Sequence, residues 1–356
     1  MNDLPNPPTL VARQLMTLRL SSYILAAMLL VPAFCGAQQD AHTTSTLTVE
    51  TAPAKRELSR LAQAFEGERA YEDVKKQVGF GPRIPGTVGH QRQIDWMAKE
   101  LEDAGFKVEI WEGGMFTPTL TRQPVPVFNL IARWKPERSR RLFFSAHFDT
   151  RPYSDGPNAT AAERRMPVPG ANDGGSGVAV VLEMARAIKA HPPENVGIFL
   201  VLHDTEDLGQ PHSGQTRHPY SEFAVGAERL ADAWKSHERF EAGVNLDLVG
   251  EREKPLFLKE QYSNTRNPQL VEEYWSIGLE YFPDVFSPEV QGIVTDDHVP
   301  YLVNDLPVIN IIDLDFKEWH TPRDLPEAVS PDTLQKVGKT TLEFIHRRDR
   351  VSSEKP

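Results

Sequence analysis

The chain has 356 residues, of which 40% are hydrophobic and 25% charged, with a formal net charge of −11. This is enough apolar material for one large α/β domain with a real core, and the acidic balance argues against nucleic acid or an anionic membrane surface as partner. The only cysteine is Cys35, so the chain beyond its leader has no disulfide and no thiolate ligand, and any metal site must use His, Asp and Glu.

Residues 21–34, SSYILAAMLLVPAF, are apolar, follow Arg13 and Arg19, and precede Cys35-Gly36-Ala37. That order is expected of a secretory signal over residues 1–37, and the stretch is short for a transmembrane span. Cleavage is expected after Ala37, with Met16 an alternative start to Met1. Lipid anchoring at Cys35 is disfavoured because the large Phe34 precedes it. The mature chain is therefore expected in a periplasm or outside the cell, without a membrane span. Residues 38–57 read as a disordered lead-in, residues 58–348 as a single catalytic domain, and residues 349–356 as a tail.

Helical patterns cover 58–78 and 88–104, with Gly105 as the stop, and the loop between them reads GFGPRIPGT. Strands are expected at 107–111, 127–134 and 141–146, the last running into His147-Phe148-Asp149. A long loop, 150–172, leads through Ala171-Asn172-Asp173-Gly174-Gly175 to a helix over 175–190. Val196 to Leu202 form an unbroken apolar run, the pattern of a strand buried on both faces. It stops at His203, Asp204, Glu206 and Asp207. A second loop (208–220) and a helix near 221–238 precede strand 243–248, which carries Asp247. A short strand (256–258), a helix (268–281) and the segment 290–304 follow. Strand 307–313 then leads to Phe316, Trp319 and His320, and a last helix spans 331–347. This alternation predicts a three-layer α/β/α sandwich with a mostly parallel central sheet.

In such a sheet His147, Glu206, Asp207, Asp247 and His320 all lie at or beyond strand ends, and Asp173 lies where a Gly-rich turn opens a helix. Each has a plain structural reading: Asp173 as a helix N-cap, His147 as a core histidine, Asp247 as a loop carboxylate. Taken together, converging carboxylates repel one another, and a cation removes that cost. Nitrogen and oxygen ligands without thiolate make zinc the leading candidate.

The stretches SAHFDT (145–150), GANDGGSG (170–177), TEDLG (205–209), NLDLVG (245–250) and WHT (319–321) resemble, in this order, the zinc-dependent exopeptidase fold of bacterial aminopeptidases. Within that superfamily GPRIPGT (81–87), TDDHVPYL (295–302) and DFKEWHT (315–321) look more like the glutaminyl cyclase family. The resemblance covers residues 58–348. It implies Asp173, Asp207 and His320 as zinc ligands, and Glu206 as the acid/base. Asp247 and Asp296 match that family's hydrogen-bonded acidic pair, and Trp319 and Phe316 its pocket wall. Asp207 stands where many members carry Glu, and a Trp of the animal cyclases has no match in GQPHSGQTRHPY.

The implied activity is conversion of an N-terminal glutamine of a peptide or protein to pyroglutamate, with release of ammonia, around one zinc. The alternative is an aminopeptidase with two zinc ions, in which His147 and Asp247 hold the second and Asp173 bridges. Asp296 favours the cyclase, because the peptidases resemble this segment as Ser-Asp-His where this chain reads Asp296-Asp297-His298.

Overall fold

The computed structural model describes residues 56–210 and 222–351; the leader, most of the lead-in, part of the second loop and most of the tail lie outside them. Helices α1 (Arg60–Gln63), α2 (Gly67–Gly79) and α3 (Val88–Asp103) come first. Strands β1 (Lys107–Phe116), β2 (Val125–Trp134) and β3 (Arg141–His147) follow, then α4 (Gly175–Ala190) and β4 (Gly197–His203). The chain continues through α5 (Val225–Trp234), β5 (Ala242–Asp247), β6 (Phe257–Glu260), α6 (Gln261–Arg266) and α7 (Pro268–Tyr281). It ends with β7 (Phe286–Gln291), α8 (His298–Val303), β8 (Val308–Ile312) and α9 (Pro331–Arg350).

Six strands make one sheet in the order β1-β2-β4-β3-β5-β8. Strand β2 runs antiparallel to both its neighbours, whereas β4, β3, β5 and β8 are parallel in succession. The mainly parallel sheet expected from the alternation is present. Strand β4 is buried at every position, and its apolar residues feed both faces. Leu200 and Leu202 join the core under α2, α4, α7 and α9. Phe199 and Val201 join a second core under α5 and α8. Helices therefore cover both faces, which gives the three layers. Each fully buried Leu, Val or Phe contributes about 1.5–3 kcal/mol relative to exposure, so the two cores fix the strand register.

The expected helix over 58–78 is two helices. Ser59 caps α1, and α2 starts afresh at Gly67, where a Cβ would lie 2.2 Å from the carbonyl oxygen of Pro331. The close approach of α9 explains both the break and the glycine. Expected helix 221–238 is shorter, Val225–Trp234, because Ala224 enters it from a left-handed conformation (φ +57°) and it stops before Lys235. The segment 290–304 holds the end of β7 and all of α8. Both are too short to show a period in sequence.

Candidate active site

The parallel strands deliver their polar residues to one edge of the sheet. His147 and His203 are register partners at the ends of β3 and β4, and Asp247 closes β5. Three turns then leave the strands through strained backbone: Thr205 (φ +56°) before Glu206, Leu248 (φ +48°) after Asp247, and His320 itself (φ +52°). Left-handed residues other than glycine cost about 1–3 kcal/mol each and persist only where their surroundings over-determine them.

Asp173 does not cap α4. Gly174 occupies the N-cap position (φ +79°), and a Cβ there would lie 2.9 Å from the carbonyl oxygen of Asp149. Freed from capping, the Asp173 side chain places Oδ1 3.1 Å from His147 Nε2 and Oδ2 3.5 Å from His320 Nε2. His320 Nε2 is also 3.3 Å from Asp207 Oδ1. Two groups result, Asp173–Asp207–His320 and His147–Asp173–Asp247, each with its ligand atoms within 4.8 Å of one another and every member buried. Either group could hold a metal ion, and they share Asp173. Asp173 Oδ2 and Asp207 Oδ2 are buried without a hydrogen-bond partner. Orphaned carboxylate oxygens beside an imidazole nitrogen are the donor set that zinc takes.

A second set of residues holds this first one, and sequence reasoning missed it. Asp149 accepts from the backbone N–H of Glu206 (2.9 Å) and of Asp207 (3.1 Å). Asp324 accepts from those of Asn172 and Asp173. Arg151 is fully buried, and its Nη1 donates to the backbone oxygen and Oδ1 of Asp207 at 3.0 and 3.1 Å. Asp155 accepts from Arg151 and lies 3.1 Å from His320 Nδ1, which fixes the imidazole with Nε2 turned inward. Of these, Asp149 carried a sequence signal, since it lies two residues past His147 in SAHFDT. Arg151, Asp155 and Asp324 sit in loops whose return to the sheet edge is tertiary information.

Burial and the surplus of carboxylates shift the titrations together. Glu206 is raised well above the ordinary range, by burial first; the charge of His147 opposes this, and those of Asp207, Asp297 and Asp296 add to it. Burial and then the charge of Asp296 raise Asp247 to about 7. Burial lowers His320, but Asp207, Asp155 and Asp173 overcome it and hold it at about 9.

The expected acidic pair is rearranged. Asp296 Oδ2 accepts from Asn310 Nδ2 (2.6 Å) and Asn245 Nδ2 (3.2 Å), whereas Asp247 Oδ1 lies 3.2 Å from His147 Nε2. The two carboxylates influence each other through charge, and the hydrogen bonds of each go elsewhere. Trp319 is 37% exposed and stacks on His320 with ring centroids 4.0 Å apart, so it offers an open aromatic face at the site. Phe316 is buried with Leu248, Val294 and Ile312 in a small apolar cluster of its own. The stretch in which no Trp match was found, GQPHSGQTRHPY, lies almost wholly outside the described residues.

A mainly parallel α/β sandwich with His/Asp groups at the carboxyl edge of its strands is the architecture of the zinc-dependent exopeptidases. The chain belongs to peptidase family M28, whose sequence model matches residues 129–345. Among solved structures, a Zn-dependent exopeptidase from Parabacteroides distasonis is 35% identical, with 80% of this chain and 99% of that one covered and a TM-score of 0.73. Porphyromonas gingivalis glutaminyl cyclase is 32% identical, with the same coverage, 80% and 99%, and a TM-score of 0.73. Glutaminyl-peptide cyclotransferase of Drosophila melanogaster is 25% identical over 282 residues, 72% of this chain and 74% of its own length.

Proposed function

We propose that the protein is a zinc-dependent glutaminyl-peptide cyclotransferase, with residues 58–348 as one catalytic domain exported by the leader. The observation that carries this reading is likeness to a bacterial glutaminyl cyclase at 32% identity over 99% of that chain. Asp296, the residue that separated the two readings in sequence, supports it by lying buried in the same charge cluster as Glu206 and Asp247.

Asp173, Asp207 and His320 would hold the zinc, which when bound supplies Lewis-acid polarisation of the substrate's γ-amide carbonyl. The α-amine of an N-terminal glutamine forms the new C–N bond to its own γ-carbonyl carbon, and the bond from that carbon to the amide nitrogen breaks. Glu206 takes the proton the amine must lose and returns it to the departing nitrogen, which leaves as ammonia. Its raised pKa suits a group that both accepts and donates near neutrality. Attack within one molecule leaves the protein mainly to fold and hold the glutamine, and Trp319, with Phe316 near it in sequence, would supply a wall for that.

One observation favours a second reading: His147, Asp173 and Asp247 also form a complete ligand group. An aminopeptidase would load it with a second ion and direct Glu206 at a water attacking the first peptide bond. The test is metal content together with two assays on purified zinc-loaded protein. One zinc per chain and ammonia release from a Gln-initiated peptide are expected. Asp296→Ala should keep that zinc and lose most of the cyclisation. Two tightly held zinc ions with stepwise release of N-terminal residues would move the assignment to the peptidase.

A further inference from the structure

His90 belongs to no group so far given a role, yet it touches the ends of two of the strands that build the site. It lies in the first turn of α3, is 1% exposed, and its Nε2 stands 2.8 Å from Asp204 Oδ1. A carboxylate only accepts, so the imidazole donates from Nε2. The ring also stacks on Phe148 (centroids 5.3 Å apart, 23° between planes), the residue between His147 and Asp149.

Asp204 is the last fixed point before the turn that presents Glu206 and Asp207. Its Oδ1 accepts from the backbone N–H of Thr205 (2.9 Å) as well as from His90, and its Oδ2 from that of Phe128 (2.8 Å). Its own N–H donates to Asn129 Oδ1 at 3.0 Å. Thr205 is the residue held at φ +56°. A non-glycine residue stays there only when its neighbours insist. Past Thr205 the insistence comes from Asp149 and from the backbone of Ala224 and Val225. On the strand side it comes from Asp204, and among the described residues His90 is the one side chain hydrogen-bonded to the Asp204 carboxylate.

We infer that His90 is a positioning residue for Glu206: through Asp204 it holds Thr205 in the left-handed conformation that turns Glu206 into the site. The inference rests on Glu206 being the acid/base of the proposed function. A histidine that merely filled the core would act on stability, and any variant of similar size would serve equally well. A positioning histidine acts on the turn, needs its donor, and is dispensable once the turn prefers its conformation unaided.

The test compares His90→Phe, which keeps the stack on Phe148 without the donor, with His90→Gln, which keeps a donor, and with the double variant His90→Phe/Thr205→Gly. Glycine adopts positive φ without steric cost. Amide hydrogen exchange across residues 204–207 is measured with ammonia release from a Gln-initiated peptide and zinc content. His90→Phe is expected to raise exchange in the turn and lower kcat about tenfold, with KM and zinc content within twofold of the unaltered protein. His90→Gln should restore most of both effects, and the Thr205→Gly addition should restore part of kcat. Unchanged exchange in His90→Phe, or equal defects in Phe and Gln variants without recovery by glycine, overturns the inference. Failure of the unaltered protein to release ammonia counts against the cyclase instead, and the exchange comparison still decides the role of His90.

Discussion

Two clusters of charge among the described residues are built on opposite terms. In the first, among α2, α3 and α4, Arg186 lies 2.5 Å from Asp73, 2.9 Å from Glu100 and 3.2 Å from Glu183, while Arg69 takes the other side of Glu183 at 2.7 Å. Each of these carboxylate oxygens has a donor. In the second, at the sheet edge, Asp173 and Asp207 each leave an oxygen orphaned, and Asp297 leaves both. A charge cluster that closes on its own guanidinium groups needs nothing further and holds helices together. One that does not close has to be completed from outside. The difference separates structure from function without reference to any motif.

The largest effect is expected in the open cluster, where activity is proposed to live. His320→Ala should all but abolish turnover and remove zinc, with thermal unfolding little changed because the cores do not include His320. Metal analysis and a melting curve on one preparation check both halves. Arg186→Leu should do the reverse. It leaves Asp73, Glu100 and Glu183 short of a partner and costs about 3–5 kcal/mol by urea unfolding, with kcat of the folded fraction unchanged. Zinc loss in the Arg186 variant would mean that the closed cluster also serves the site. Glu206→Gln comes next: roughly a hundredfold or greater loss of turnover, with zinc retained, since the amide keeps the shape and loses the proton acceptor.

How much of this arrangement could be read before folding differs between the two clusters. The strand Val196–Leu202 announces itself by unbroken apolarity, and residues 175–190 and 268–281 by helical period, and all three are found where expected. Asp173, Glu206 and Asp207 sit at punctuation that sequence displays: a Gly-rich turn and the end of an apolar run. Arg186, Asp73 and Glu100 show nothing, because ordinary helix faces carry such residues everywhere. Arg151, Asp155, Asp324 and His90 are equally silent. Their function depends on which loop or helix returns to the edge, and a local pattern does not encode that return. The acidic pair shows a subtler limit. Both Asp247 and Asp296 were visible, but which neighbour each would bond depended on Asn245 and Asn310 meeting across β5 and β8.

The smallest expected difference is also the most exacting, because it sets one peripheral carboxylate of each cluster against the other. Asp155 serves two neighbours at once: Arg151 at 2.7 and 2.6 Å, and His320 Nδ1 at 3.1 Å. Asp155→Asn cannot serve all three donors: Oδ1 takes both Arg151 Nε and His320 Nδ1 and Oδ2 takes Arg151 Nη2, so an amide that keeps its oxygen toward the imidazole turns its NH2 against Nη2. His320 then loses its orientation or Arg151 loses a partner, and zinc affinity should weaken about tenfold, as for other outer-shell ligand partners. Glu100 is the counterpart in the closed cluster, with Oε1 accepting from Trp96 and Oε2 from Arg186. In Glu100→Gln the amide oxygen can keep Trp96, and Arg186 retains Asp73 and Glu183. The loss should stay below about 1 kcal/mol and leave zinc binding untouched. Competition with a chelator reads the first variant and thermal unfolding the second. If Asp155→Asn bound zinc as tightly as the unaltered protein, His320 would be held by the strained backbone at φ +52° alone, and the support credited to Asp155 would belong to the fold.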